Sequence, residues 1–236
     1  DLPPAVSAPA RAAGDWLVVT PDVKAQVLRG ANADELVMTN GLIRRVWRVN
    51  PNAATVAYDN LVTGASILRG VKPEAVVELD GERYDVGGLL GQPDYAYLKP
   101  EWLDAMTADP KAFRCTGVEV GKTVERFPWK RVRHAADLPW PPPGVSLVFR
   151  FAPPEGKLSG VSVSVHYEMY DGLPALAKWI TFRNASSQPV QLNRFISELL
   201  AAVEYESVVD SRERWQLPDI HVETDFGYGG ADPSGA

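Results

Sequence analysis

Val161-Ser-Val-Ser-Val-His-Tyr-Glu-Met-Tyr170 alternates apolar and polar residues along its whole length and then runs into Asp171-Gly-Leu-Pro174. Successive side chains of a strand point to opposite faces, so Val161, Val163, Val165, Tyr167 and Met169 share one face, and Ser162, Ser164, His166, Glu168 and Tyr170 the other. A strand of this kind covers a core on one side only, which is the pattern of an antiparallel sheet. Outward from it, further strands are predicted at Trp16–Thr20, Leu36–Met38, Leu42–Val49, Ala54–Tyr58, Ala75–Leu79 and Glu82–Val86. Beyond the middle of the chain they resume at Ser146–Phe151, Ala175–Asn184, Val190–Ser197 and Leu199–Val208. Asn40-Gly41 and Asp80-Gly81 lie between strand candidates and suit tight hairpins, because these residues accept positive φ at low cost.

Positions 87–144 read differently. Pro93, Pro100, Pro110, Pro128, Pro139 and Pro141–Pro143 interrupt them, and this predicts long decorated loops. Within them Pro100-Glu-Trp-Leu-Asp-Ala-Met106 is the one helix candidate, with proline and an acid in the first turn. The fold class is therefore all-β: an antiparallel β-supersandwich with long Pro/Trp-rich loops and one short helix. Residues 1–15 read as a flexible Pro/Ala-rich tail, 16–226 as the sandwich domain, and 227–236 as a flexible Gly-rich segment, a cut loop or a linker to a missing part. The chain opens at Asp1 without methionine, as a mature terminus would after removal of an export signal. That reading places the protein in the periplasm or outside the cell.

Composition narrows the function classes. With 45% hydrophobic and 23% charged residues the chain is globular in type, and no apolar run nears the roughly 20 residues of a membrane helix, so no membrane partner is expected. Lys+Arg 24 against Asp+Glu 30 gives a formal charge of -6, which repels phosphate backbones, so no nucleic-acid partner is expected either. The short run Lys130-Arg-Val-Arg133 reads as a solvated face. A single cysteine, Cys115, forms no intrachain disulfide, and His134, His166 and His221 lack the spacing of a zinc site, so no metal and no cofactor are expected. Gly-x-Ser-x-Gly and phosphate-loop motifs are absent from the sequence. Asn184-Ala-Ser186 matches a glycosylation sequon and also reads as a turn.

Glycosidases need paired carboxyl groups, about 5–5.5 Å apart in retaining and about 6.5–9.5 Å in inverting enzymes. The best acidic set is Glu198, Glu204, Glu206 and Asp210, and a solvated strand face accounts for it, so no catalytic residue is assigned. The aromatic residues of the irregular middle are more telling. Trp102, Phe127, Trp129 and Trp140, with Tyr95 and Tyr97, lie outside the alternating strands. Pyranose C–H faces pack on such rings, while Arg126, Arg131 and Asp94 stand near enough in sequence to bind hydroxyls. Trp102, Trp129, Trp140, Tyr95, Arg131 and Asp94 are the candidate sugar-binding residues; the competing reading is that the rings pin the loops to the sandwich.

Tyr167-Glu-Met-Tyr-Asp-Gly-Leu-Pro174, followed by Lys178-Trp-Ile-Thr-Phe-Arg-Asn184, resembles the N-terminal β-supersandwich domain of family 36 α-galactosidases. There a strand ends in Tyr-Asp-Gly-Ile/Leu-Pro and the next closes on Asn. Leu68-Arg-Gly-Val-Lys-Pro-Glu-Ala75 and Asn40-Gly-Leu-Ile-Arg44 are similar, more loosely, to segments of that domain and of galactose-mutarotase-like sandwiches. In that family the nucleophile belongs to a Lys-Trp-Asp motif in a following (β/α)8 barrel, whereas Lys178-Trp179 continues into Ile180 inside the sandwich, so no catalytic role carries over. The resemblance implies a non-catalytic domain of an α-galactosidase-like glycoside hydrolase. Its partners would be carbohydrate, a catalytic barrel missing from this chain, and further copies in a homo-oligomer. The alternatives are a free-standing carbohydrate-binding module and a mutarotase-like epimerase that works through His166.

Overall fold

The computed structural model describes residues 2–4, 16–18, 21–130, 132 and 139–202. It is all-β, with antiparallel pairing throughout its named strands and one short helix. Five strands form the first sheet in chain order: β1 Gln26–Arg29, β2 Glu35–Thr39, β3 Ile43–Arg48, β4 Ala54–Asn60 and β5 Ala65–Ser66. Next come β6 Leu68–Gly70, β7 Ala75–Leu79 and β8 Glu82–Val86, then β9 Arg114–Lys122, β10 Gly144–Ala152, β11 Val161–Tyr170 and β12 Leu176–Asn184. The last two are β13 Leu192–Ile196 and β14 Ala201–Ala202. The second sheet has the order β12-β11-β10-β9, the third β13-β7-β8, and β14 pairs with β6.

Three sheets enclose one core. Val27, Met38, Ile43 and Trp47 point into it from the first sheet, Leu147, Phe149, Phe151 and the apolar face of β11 from the second, and Val77, Leu79, Tyr84 and Val86 from the third. Each such side chain, fully buried, contributes about 1.5–3 kcal/mol. The alternation of β11 is realised as expected: Val161, Val163, Val165, Tyr167 and Met169 are all buried. The first sheet is covered on its other face as well, where Val37, Val46, Ala54 and Val56 pack against Val71, Leu89, Leu103 and Met106. Double coverage explains why Leu36-Val-Met38 is continuously apolar rather than alternating.

Both expected hairpins form. Asp80 and Gly81 take φ of 50° and 80° between β7 and β8, a left-handed pair that reverses the chain in two residues. At Asn40-Gly41 the turn has a second duty, because the buried Asn40 amide donates to the carbonyls of Tyr170 (2.8 Å) and Leu173 (2.5 Å) and accepts from the Leu42 and Ile43 amides. The Tyr-Asp-Gly-Leu-Pro turn also accepts from the Ala25 amide through Asp171 (2.8 Å), and Gly172 donates to Val23 (3.0 Å). This turn is a junction binding the first hairpin and the approach to β1 to the end of β11.

Two expectations are corrected, and the short helix is found as expected. Trp16, Leu17 and Val18 form a turn rather than a strand, with Leu17 and Val18 largely exposed; β-propensity measures fit to a half-buried pleated surface, which these exposed side chains do not join. The first strand is instead the unforeseen β1, which pairs with β2. The middle of the chain is not all loop, since β9 runs for nine residues along β10. It is an edge strand whose exposed residues include Glu119, Gly121 and Lys122, so it shows no inward/outward alternation over its second half. The helix spans Pro100–Ala105 and is a 3-10 helix, its buried Leu103 set against the first sheet's outer core. Of the expected tail, Leu2–Pro4 are described and lie beside β1, where Arg29 donates to the Pro3 carbonyl (2.9 Å). The rest of 1–15, residues 19 and 20, the stretch 203–208 and the segment 227–236 lie outside the described residues.

Candidate functional site

A cluster of charges is buried where the three sheets meet. Arg45 stands on β3 two residues before Trp47, on the core side, and is fully buried; Glu74 immediately precedes β7; Tyr167 and Lys178 are directly opposed on β11 and β12. Glu74 Oε1 accepts from the Thr55 amide (2.6 Å) and hydroxyl (2.8 Å), and its Oε2 accepts from Trp47 Nε1 (3.2 Å) and from the Tyr167 hydroxyl. Arg45 donates to Glu198 at 2.7 and 3.2 Å and to Thr55, with its guanidinium 4.8 Å from the Tyr167 ring and 5.3 Å from Tyr58. Lys178 donates to Glu198 (2.7 Å) and to the Glu74 carbonyl, and lies 3.9 Å from the Glu74 carboxylate.

Two cations thus balance two carboxylates with hydrogen bonds on every side, the condition under which buried charge is tolerated. Burial alone would raise the Glu74 carboxyl, but Lys178, Arg45, Tyr167 and Thr55 together outweigh it and hold Glu74 below its ordinary value. Burial lowers Lys178, with Glu74 and Glu198 pulling the other way, and burial pushes Tyr167 well up, so it remains a donor. Only Glu198 reaches solvent, at the wall of an open cleft of about 450 Å³ that Lys72, Arg83 and Asp85 also line. The cluster joins sheets; its carboxylates are fixed by their partners.

The second feature is on the outer face of β11 and β12. Glu168 belongs to the polar face of β11 yet is buried, because residues 123–128 fold back across it. Val124 donates its amide to Glu168 (3.0 Å), Tyr170 donates its hydroxyl (3.1 Å), and Arg126 pairs with it at 3.6 Å. Thr123 donates to the Pro142 carbonyl (2.6 Å) and Trp140 Nε1 to the Phe127 carbonyl (3.2 Å), which ties the two legs of this loop into a wall. Phe127 and Trp129 remain 49% and 43% exposed there, so the core is not what holds them. Below the wall, His166 stacks on Trp179 (4.9 Å, 7° between planes) and shares a 2.9 Å hydrogen bond with Thr181. Burial and the Arg150 charge lower His166 from its ordinary 6.5, leaving it neutral near pH 7.

Of the sequence candidates, Trp129 and Trp140 are brought together at 5.4 Å, with Phe127 5.2 Å from Trp140. Trp102 is elsewhere: it meets Tyr97 at 5.3 Å, with Lys99 beside both rings. Tyr95 is half-exposed under Lys72, and Asp94 accepts from the Ala96 amide (2.8 Å), a local turn contact. These three belong to the 92–106 segment, with no contact to Trp129 or Trp140 among the described residues. Arg131, His134, His221, Glu204, Glu206 and Asp210 lie outside the described residues. Arg45, Glu74, Trp179 and the positioning role of Glu168 were missed from sequence. A basic residue at an inward position of β3 and an acid on the covered face of β11 were the available signals. Asn184 accepts from Ser186 and donates to Gln188 (2.7 Å), so the sequon closes β12 as a turn.

Compared with protein-family models, with curated proteins and with solved structures, the chain matches none.

Proposed function

We propose that this chain is the non-catalytic N-terminal β-sandwich of an exported α-galactosidase-like glycoside hydrolase, supporting a separate (β/α)8 barrel and meeting carbohydrate through the wall formed by 123–130 and 139–143. The observation that carries the reading is the ring group of exposed Phe127 and Trp129 with half-buried Trp140, built on a loop whose own hydrogen bonds hold it and whose rings lie outside the apolar core. Flat rings beside an oriented guanidinium suit a pyranose, which offers an apolar C–H face and polar edges. The residues behind the family resemblance support it too, since Glu74, Tyr167 and Lys178 converge in the buried cluster and Asn40 grips the Tyr-Asp-Gly-Leu-Pro turn. The expected partners are carbohydrate, the barrel, and further copies of the chain in a homo-oligomer.

A free-standing carbohydrate-binding module would use the same rings. The epimerase reading fares less well: Glu168 faces Val124, Tyr170 and Arg126, while His166 is bonded to Thr181, so the two do not form an acid/base pair. One sample tests the proposal. The chain mixed with an aryl α-galactoside is expected to give a binding heat in calorimetry and no release of the aryl group; turnover by this chain alone would refute the non-catalytic assignment.

A further inference from the structure

The rings of the wall continue onto the sheet. Trp129 meets Trp140 at 5.4 Å, Trp140 meets Phe127 at 5.2 Å, the Arg126 guanidinium lies 5.9 Å from Phe127 and 4.2 Å from Trp179, and Trp179 stacks on His166 at 4.9 Å. Five successive contacts make one row of six side chains, beginning on the loop and ending on the outer face of β11. The row is held in place beforehand. Buried Glu168 anchors Arg126, Trp140 is bonded to the Phe127 carbonyl, and His166 to Thr181. A surface fixed in this way loses little side-chain freedom when a ligand arrives.

The chemistry of the row selects its occupant. The Trp129–Trp140 and Phe127–Trp140 pairs are tilted by 35° and 48°, so neither ring of a pair lies flat over its partner. A guanidinium and a neutral imidazole stand within the row beside the rings, so hydrogen-bonding groups alternate with flat apolar faces, the mixture that a pyranose offers in return. Its positive charge is already balanced, Arg126 by Glu168 and the neighbouring Arg150 by Glu119 at 2.5 Å, and the chain as a whole carries -6, which disfavours a polyanion.

We infer that the row is one extended site for a neutral oligosaccharide, with one sugar unit stacked at Trp129 and Trp140 and the next unit hydrogen-bonded by Arg126 and the His166–Thr181 end. This inference rests on the carbohydrate reading above. Glu168 acts in it as a positioning residue for Arg126.

The test is calorimetric titration of the chain with galactose and with α-galactosyl di-, tri- and tetrasaccharides. Affinity is expected to tighten about tenfold or more from galactose to the tetrasaccharide. Glu168→Gln keeps the side-chain shape but releases Arg126, and is expected to remove most of that gain; the ratio of the two affinities is a readout that lost stability alone would not move. Trp179→Leu, on the half-buried outer face, makes the same prediction and serves if the first variant does not fold. Equal affinity along the series, or a gain that survives both substitutions, would overturn the extended site while leaving the carbohydrate reading intact. Binding of no sugar in the series would overturn both.

Discussion

Glu74 is the buried carboxylate on which the charge cluster turns. Its carboxylate takes hydrogen bonds from Thr55, Trp47 and Tyr167 and faces Lys178 and Arg45, so three sheets are joined through one side chain. Glu74→Gln would leave two buried cations with Glu198 as their remaining carboxylate, and is expected to destabilise the chain by about 3–5 kcal/mol in denaturant unfolding. A loss under about 1 kcal/mol would show that the cluster is dispensable. The same residue sets an acid limb. Because the folded carboxyl is held below its ordinary value of 4.5, it contributes stability that is fully present above that value and lost as pH falls through the lower folded one. The melting temperature should therefore drop below about pH 4.5, and the drop should be shallower in Glu74→Gln. Parallel pH profiles for the two proteins would contradict this assignment.

Elements were legible in the sequence wherever local pattern and tertiary demand agreed. β11 was readable because its inner face meets a core and its outer face, beyond Glu168, meets solvent, and β7–β8 because Asp80-Gly81 permits one tight reversal. β9 was hidden because an edge strand is selected for exposed glycine and charge rather than alternation, and Trp16–Val18 misled because an apolar run whose side chains stay largely outside the core is not held as a strand. Of the candidate surface, Trp129 and Trp140 could be picked out as rings in an irregular stretch. Trp179 and Glu168 could not, because their roles follow from a loop folding back across the sheet, which no local pattern encodes. Two glycines separate backbone strain from crowding. At Gly81, with φ of 80° and open space around it, alanine should cost about 1–2 kcal/mol. At Gly87, with φ of 69°, a Cβ would meet the Ala53 carbonyl oxygen at 2.3 Å, so Gly87→Ala should lower the melting temperature far more. Equal shifts in thermal melts would count against the close approach of that strand end to β4.

At the scale of the whole molecule, stability and recognition occupy different places. The interior between the sheets holds the apolar core and a neutralised charge cluster, whereas the wall over the outer face of β11 and β12 carries the exposed rings of Phe127 and Trp129 beside Trp140. That division is the basis of the proposed carbohydrate-facing role. The most direct measurement is calorimetric titration of an α-galactosyl oligosaccharide into the chain and into Trp129→Ala/Trp140→Ala, with unfolding curves recorded for both. Each ring contributes about 1 kcal/mol, so the double variant should bind roughly tenfold or more weakly while keeping the cooperative unfolding transition of the core between the sheets. Undiminished binding in the double variant, or no heat from the parent chain at millimolar sugar, would contradict a carbohydrate-facing wall.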